Sequence, residues 1–316
     1  MFQTKYLVGK NKILESLIIL NMLYRVIKPI TALKCFQLLT VLFLACVMVS
    51  SCRQKNPRET VIKEIARETV SIKGFEIPRF KSATRQLEYA RSSFTSVNEQ
   101  KAALEAVVKL FPHSREKVAE ALLDLVYFGL GDDYRLASKE LCEETLTQLQ
   151  NLIREYNEIH QVCAKAQWYI GWIYTDLLRK PSMGLAAYRK VVSCYPTEVF
   201  YISSSFGSAL FNYSKIGTGP EETMEKHWWG ALALLEIFRH SDGYEEKLNI
   251  TSELVSRYPS DLATGYALLD MVSSHTPSTK IEQFARRYIE INKRNKALAF
   301  IVRKIENALG ISYLKK

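Results

Sequence analysis

From about Ser82 to the C-terminus, apolar residues recur at three- and four-residue steps with polar residues between them, the period of helices that bury one face. Ala103, Leu104, Val107, Val108 and Phe111 share a face before Pro112. Ser114 is placed to cap a second helix along which Val118, Leu122, Leu125, Val126 and Phe128 recur, closed by Gly129 and Gly131. Asp132 and Asp133 predict the start of a long helix carrying Leu136, Leu141, Leu146, Leu149, Leu152 and Ile153. Prolines mark further starts. Pro181, Pro220 and Pro277 each suit a first helical turn, and Glu221 and Glu222 would sit at the positive helix end. Asp242-Gly243-Tyr244-Glu245 has the D-x-x-E form of a capping box. Ahead of this block a short helix is predicted over 57–71, ended by Gly74 and Pro78. Strand-like character clusters only around 199–204. The predicted fold class is all-α.

A different pattern lies near the N-terminus. Lys34 precedes a run of about fourteen apolar residues, too short to cross a bilayer comfortably and matched to the apolar core of a signal peptide. A start at Met22 would give a compact basic region of Arg25, Lys28 and Lys34. The run ends in Val49-Ser50-Ser51-Cys52, and two small residues before a cysteine resemble the bacterial lipobox. That resemblance implies an exported protein whose Cys52 carries a diacylglycerol and becomes the mature N-terminus. An uncleaved transmembrane anchor reaching back through Ile30 is the other reading, though Lys34 interrupts it. Arg53 and Gln54 follow the cysteine with no aspartate, which in diderm bacteria implies sorting to the outer membrane. The organisation expected is a signal peptide over 1–51, a lipidated tether and first helix over 52–81, and a helical repeat domain over 82–316.

Helix pairs of this length raise the question of internal repeats. In 166–196, Trp168, Ile170, Gly171 and Tyr174 fall on one predicted helix, and Gly184, Tyr188, Val191 and Pro196 on the next. This hairpin resembles a tetratricopeptide repeat with one residue inserted in its turn. The resemblance implies that Gly171 clears space for the crossing helix, that Tyr174 and Tyr188 fill the wedge between helices, and that Pro196 turns the chain onward. Val108, Val192 and Val255 each stand four residues before a proline, so Pro112, Pro196 and Pro259 read as repeat ends. They are 84 and 63 residues apart, near but not equal to multiples of the 34-residue family period. Weaker pairs fall over 114–157 and 260–291. The implied architecture is a right-handed α-solenoid of antiparallel helix pairs.

Charge modifies this picture little. The net +10 is segregated: 1–51 carries +5, 53–91 another +5, 277–316 carries +7, and 92–276 about −7. A basic segment beside a lipid anchor suits anionic headgroups or a solvated linker equally, and nucleic acid is not an expected partner outside the cytoplasm. His113, His160, His227, His240 and His275 lack metal-ligand spacing, Gly129-Leu130-Gly131 lacks the third glycine of a dinucleotide loop, and no nucleophile motif is present. No cofactor, metal or catalytic residue is expected, and the chain does not read as an enzyme. Beyond Cys35, Cys46 and Cys52, three cysteines remain. Cys163 and Cys194 stand at adjoining ends of the best hairpin, so they could form a disulfide; buried thiols are the alternative. Adjacent indoles at Trp228 and Trp229 would point to different sides of a helix, one into the core and the other either packed on the next helix or open to a partner or glycan. Arg286 and Arg287 on a C-terminal helix over 277–291 read as an end cap or as a docking strip for an acidic partner. The expected function is a membrane-anchored envelope scaffold that binds proteins or peptides; the alternative is a glycan-binding envelope lipoprotein.

Overall fold

In the computed structural model, residues 68–92, 96–130, 134–203, 224–274 and 278–311 are described. Cys52, the signal-peptide segment and most of the predicted 57–71 helix lie outside them. The end of that stretch is a strand instead: β1 (Thr69–Ile72) pairs antiparallel with β2 (Phe75–Pro78). Lys73 and Gly74 between them have φ of 49° and 83°, a two-residue turn whose twist suits a hairpin. Gly74 therefore turns a strand rather than ending a helix. Gln86 fastens this hairpin to the next helix, accepting from the Phe80 amide at 3.0 Å and donating to the Pro78 carbonyl at 3.0 Å.

The remainder is mostly helical. In order come α1 (Ala83–Arg91), α2 (Val97–Leu110), α3 (Arg115–Gly129), α4 (Lys139–Glu155), α5 (His160–Trp172) and α6 (Pro181–Cys194). After an interruption follow α7 (Trp229–Arg239), α8 (Tyr244–Arg257), α9 (Leu262–Ser274), α10 (Thr279–Asn292) and α11 (Ala299–Ala308). Ile173–Leu177 continues α5 as a π-helical turn. Each helix packs on the next in sequence, and each odd-numbered helix also touches the next odd-numbered one. The chain thus forms successive helix hairpins, α1/α2 through α9/α10, with α11 lying on α9 and α10 as the final layer.

A recurring end joins these hairpins. Phe111, Tyr156, Tyr195 and Tyr258 each cap an even-numbered helix with φ between −115° and −133°, the backbone amide still bonded four residues back. The carbonyl of each then accepts from the amide three residues on, at Ser114, Ile159, Glu198 and Asp261. Later hairpins fasten onto these turns: Tyr258 Oη donates to the Pro196 carbonyl at 2.9 Å, and Asn292 Nδ2 to the Pro259 carbonyl at 2.9 Å.

These ends explain the irregular proline spacing. Tyr156 is followed by Asn157 rather than proline, so a hairpin end is concealed within the 84 residues between Pro112 and Pro196. Between α6 and α7, β3 (Val199–Ser203) pairs antiparallel with β4 (Met224–Trp228), Phe200 opposite His227. Removing the thirty residues 199–228 from the 63 between Pro196 and Pro259 leaves 33.

Other starts differ from expectation. Asp132 and Asp133 lie outside the described residues, and α4 begins at Lys139, where Ser138 Oγ accepts from the Leu141 amide at 3.2 Å. Leu136, predicted on that helix, sits in a 3-10 turn (Tyr134–Leu136) and is 81% exposed. Ser114 is an N-cap by position without a side-chain bond, and Pro181 occupies the first turn of α6. The Asp242 capping box does not form: Gly243 is the N-cap of α8 and no side-chain cap bond is made. Pro220 and Pro277 are outside the described residues. β4 precedes α7, so no helix runs from Glu221 into Trp229.

Two cores result. A small one joins the β1–β2 hairpin, α1 and α2 through Ile77, Leu87, Leu104 and Val107. A continuous one runs from α3 to α11.

Candidate functional site

Of the residues expected to pack the repeat, Trp168, Ile170 and Tyr188 are buried and Tyr174 is half-buried. A Cβ on Gly171 would lie 2.5 Å from Tyr188 Cε1, so the bare backbone is what lets α6 cross α5. At Gly184 the same atom would meet Thr175 Cγ2 at 2.3 Å, the other side of that crossing. The device recurs where the sequence reading missed it. Gly230 lies under Tyr258 (2.1 Å to Oη) and Gly265 under Tyr288 (2.6 Å to Oη). A glycine inside an apolar helix with a tyrosine on the following even helix was the available signal; unequal spacing hid it.

This packing aligns the odd-numbered helices, and charged and aromatic side chains form a strip where they meet across α1, α3 and α5 and again across α9 and α11. Arg91 on α1 reaches α3 twice, through Nε to Asp124 at 2.8 Å and Nη1 to Glu120 at 2.7 Å. Lys165 on α5 holds the other Asp124 oxygen at 3.3 Å, and Lys117 holds Glu120 at 2.6 Å. Farther along, Tyr127 of α3 stacks on Tyr169 of α5, with centroids 5.4 Å apart, and Tyr134 meets Trp172 edge-on at 5.0 Å. On α7, Arg239 pairs with Glu236 at 2.6 Å, and Tyr266 of α9 meets Phe300 of α11 at 6.3 Å. Charged and aromatic groups alternate along this strip.

Burial and charge compete at each step. Burial would raise the Asp124 carboxyl, but Lys165 and Arg91 outweigh it and hold it below the usual carboxylate range. At Glu236 burial prevails: it and the nearby Asp176 raise the carboxyl against the pull of Arg239. Burial pushes the Tyr127 phenol up to about 12, with Tyr169 and Tyr134 adding to it. None of these tyrosines is poised as an acid or base near neutrality. A shallow apolar crevice beside the stack, between Leu130, Leu149 and Ile173, has no interior room even for a water molecule. Small-molecule sites are roughly 300 Å³ or more. The strip suits contact over a length rather than enclosure of a substrate.

The remaining expected residues do not join it. Cys163 and Cys194 are not bridged. The Cys163 thiol turns inward to the Tyr156 carbonyl at 3.2 Å, while the Cys194 sulfur lies 3.6 Å from Ser193 Oγ. Cys142 is buried and Cys194 exposed. Trp229 opens α7 and is buried against Phe200 at 4.4 Å, whereas Trp228 ends β4, half-buried, with Lys226 Nζ 5.3 Å from its ring. The two indoles therefore part at a strand–helix junction, not around one helix. Arg286 and Arg287 are exposed on α10, Arg286 paired with Glu282, and α11 lies beyond them as the end layer. Among the described residues no group of three or more His, Cys, Asp or Glu could hold a metal, and no helix is long and apolar enough to cross a membrane. No protein-family model, curated protein or solved structure matches the chain.

Proposed function

We propose that this chain is a tetratricopeptide-like helical scaffold of the bacterial cell envelope, anchored by lipid at Cys52, that binds envelope proteins or peptides along its odd-numbered helices. The observation that carries this reading is that charged and aromatic side chains meet across successive odd-numbered helices, Arg91, Asp124 and Lys165 through ion pairs, Tyr127 and Tyr169 through stacked rings, and Tyr266 and Phe300 again farther along. Helix-pair solenoids present one set of helices as an extended binding surface, and the three glycine–tyrosine crossings are the local geometry such stacking requires. A partner laid along these helices would meet Arg91, Tyr127, Tyr134, Arg239, Tyr266 and Phe300, exposed or half-buried where Tyr169 and Trp172 are buried, and such groups fix register and orientation without an enclosed pocket. A glycan platform needs an open aromatic face; here Trp229 is buried and Lys226 lies over the Trp228 ring, which favours the scaffold.

The test is photo-crosslinking in intact cells. A photoreactive phenylalanine analogue at Tyr127 or Tyr266 should give discrete protein adducts, while the same analogue at Gln148, exposed on α4, should not. Equal labelling from all three positions, or none from the strip, would refute the proposal. Cys52→Ala should release the protein from membranes; retention there would support an uncleaved apolar anchor.

A further inference from the structure

We propose that the C-terminal end of the helical array is a docking surface for an anionic membrane. Along α10, Lys280, Phe284, Arg287 and Ile291 follow at steps of four, three and four, one stripe about 16 Å long at 1.5 Å per residue, and Arg294 follows in the turn after it. Ile281, Ala285, Tyr288, Ile289 and Asn292 face the core, so this stripe points away from it. Ile291 is 44% exposed, and Lys280 Nζ stands 5.7 Å from the Phe284 ring, half-buried between the cations. The next turn adds Lys296, and α11 adds Arg303 and Lys304 on the side opposite Ile301, Val302 and Ile305.

The carboxylates of α10 are already engaged round the helix, Glu282 with Arg286 at 2.6 Å and Glu290 with Lys293 at 2.5 Å. Lys280, Arg287, Arg294, Lys296, Arg303 and Lys304 have no carboxylate partner among the described residues. Six uncompensated cations on two helices and a turn, with apolar side chains set among them, are the composition of a surface that lies on charged headgroups. An acidic peptide would need a groove to hold it, and these charges spread round a helix end without one. A bilayer offers a broad layer of phosphate charge, and the exposed Ile291 can enter the boundary beneath it, with Phe284 half-buried against the core.

The cations varied below lie on α10 and the turn after it, outside the odd-helix strip, so different variants read the two proposals. Full-length protein is sedimented with phosphatidylcholine vesicles with and without phosphatidylglycerol at low salt. The gain on adding the anionic lipid is recorded, so insertion of residues 35–49, common to both vesicles, cancels. Arg287→Gln/Arg294→Gln should lower that gain about twenty-five-fold, roughly fivefold per cation, and Arg287→Glu/Arg294→Glu should lower it further. Arg286→Gln/Lys293→Gln, the same charge change on the paired stripe, should cost less than about fivefold. Both sets are exposed, and unchanged helical circular dichroism checks the fold. Equal losses from both pairs, no gain with phosphatidylglycerol, or tight binding to soluble polyglutamate without vesicle binding would each overturn the proposal.

Discussion

Adding one methyl group at Gly171 tests whether close helix crossing builds this fold. In Gly171→Ala the new carbon would stand 2.5, 2.6 and 2.9 Å from three carbons of the Tyr188 ring, where carbon contacts are normally about 3.5–4.0 Å. The ring has little room to retreat. It is fully buried, with its hydroxyl 3.5 Å from Thr175 Oγ1 and its centroid 6.0 Å from that of Trp168. Separation of α5 from α6 must therefore supply the missing ångström. Alanine in place of glycine favours a helix by about 1 kcal/mol, while overpacking a core costs about 1–3 kcal/mol and occasionally more. Contact with a whole ring edge lies at the upper end, so a net loss of about 1–2 kcal/mol is expected. Urea unfolding followed by circular dichroism measures it. Gly129→Ala is the control, since nothing lies within 4 Å of its Cβ; it should be neutral or stabilising by up to about 1 kcal/mol. Tyr188→Leu removes the ring edge and leaves space for the methyl, so the double variant should recover at least about 1 kcal/mol relative to the sum of the singles. If Gly171→Ala matched Gly129→Ala, or the two changes were additive, the close-approach argument would be wrong.

Four further outcomes are expected. Asp124→Asn should cost about 3 kcal/mol at neutral pH, because Arg91 and Lys165 lose the carboxylate between them, whereas Glu236→Gln should cost under about 0.5 kcal/mol, its charged form being disfavoured already. The depressed Asp124 carboxyl stabilises the fold above its unfolded pKa near 3.9, and this contribution fades as pH falls through the lower folded value, so wild type should lose melting temperature below about pH 4 more steeply than Asp124→Asn. Tyr258→Phe removes the bond to the Pro196 carbonyl and should cost about 1 kcal/mol in the same urea assay. In native protein under non-reducing conditions, iodoacetamide should modify Cys194 first and reach Cys142 and Cys163 only on unfolding; a disulfide-linked peptide joining Cys163 and Cys194 would contradict the geometry.

The helical character and the Gly171–Tyr188 crossing were legible because both are local: a period of apolar residues, and a glycine facing one ring. Errors arose where position outweighed residue type. Leu136 continues the apolar period yet sits in a turn, because Ser138 provides the cap at the start of α4. Trp228 and Trp229 read as two sides of one helix, because the strand that ends at Trp228 is fixed only by its pairing with Val199–Ser203, more than twenty residues earlier. The same inserted hairpin stretched the proline spacing and disguised Gly230 and Tyr258 as unrelated residues. The strip itself left no local trace. Arg91, Asp124 and Lys165 stand 33 and 41 residues apart and meet only because intervening helices return the chain to the same side.

The side-chain bonds onto the turns have a direction. Pro196 and Pro259 offer carbonyls that wait for Tyr258 and Asn292, residues synthesised later. A ribosome releases each acceptor before its donor exists, so a new hairpin emerges beside a docking point already in place. Assembly can follow translation, with the most recently made layer always the one still searching for its seat.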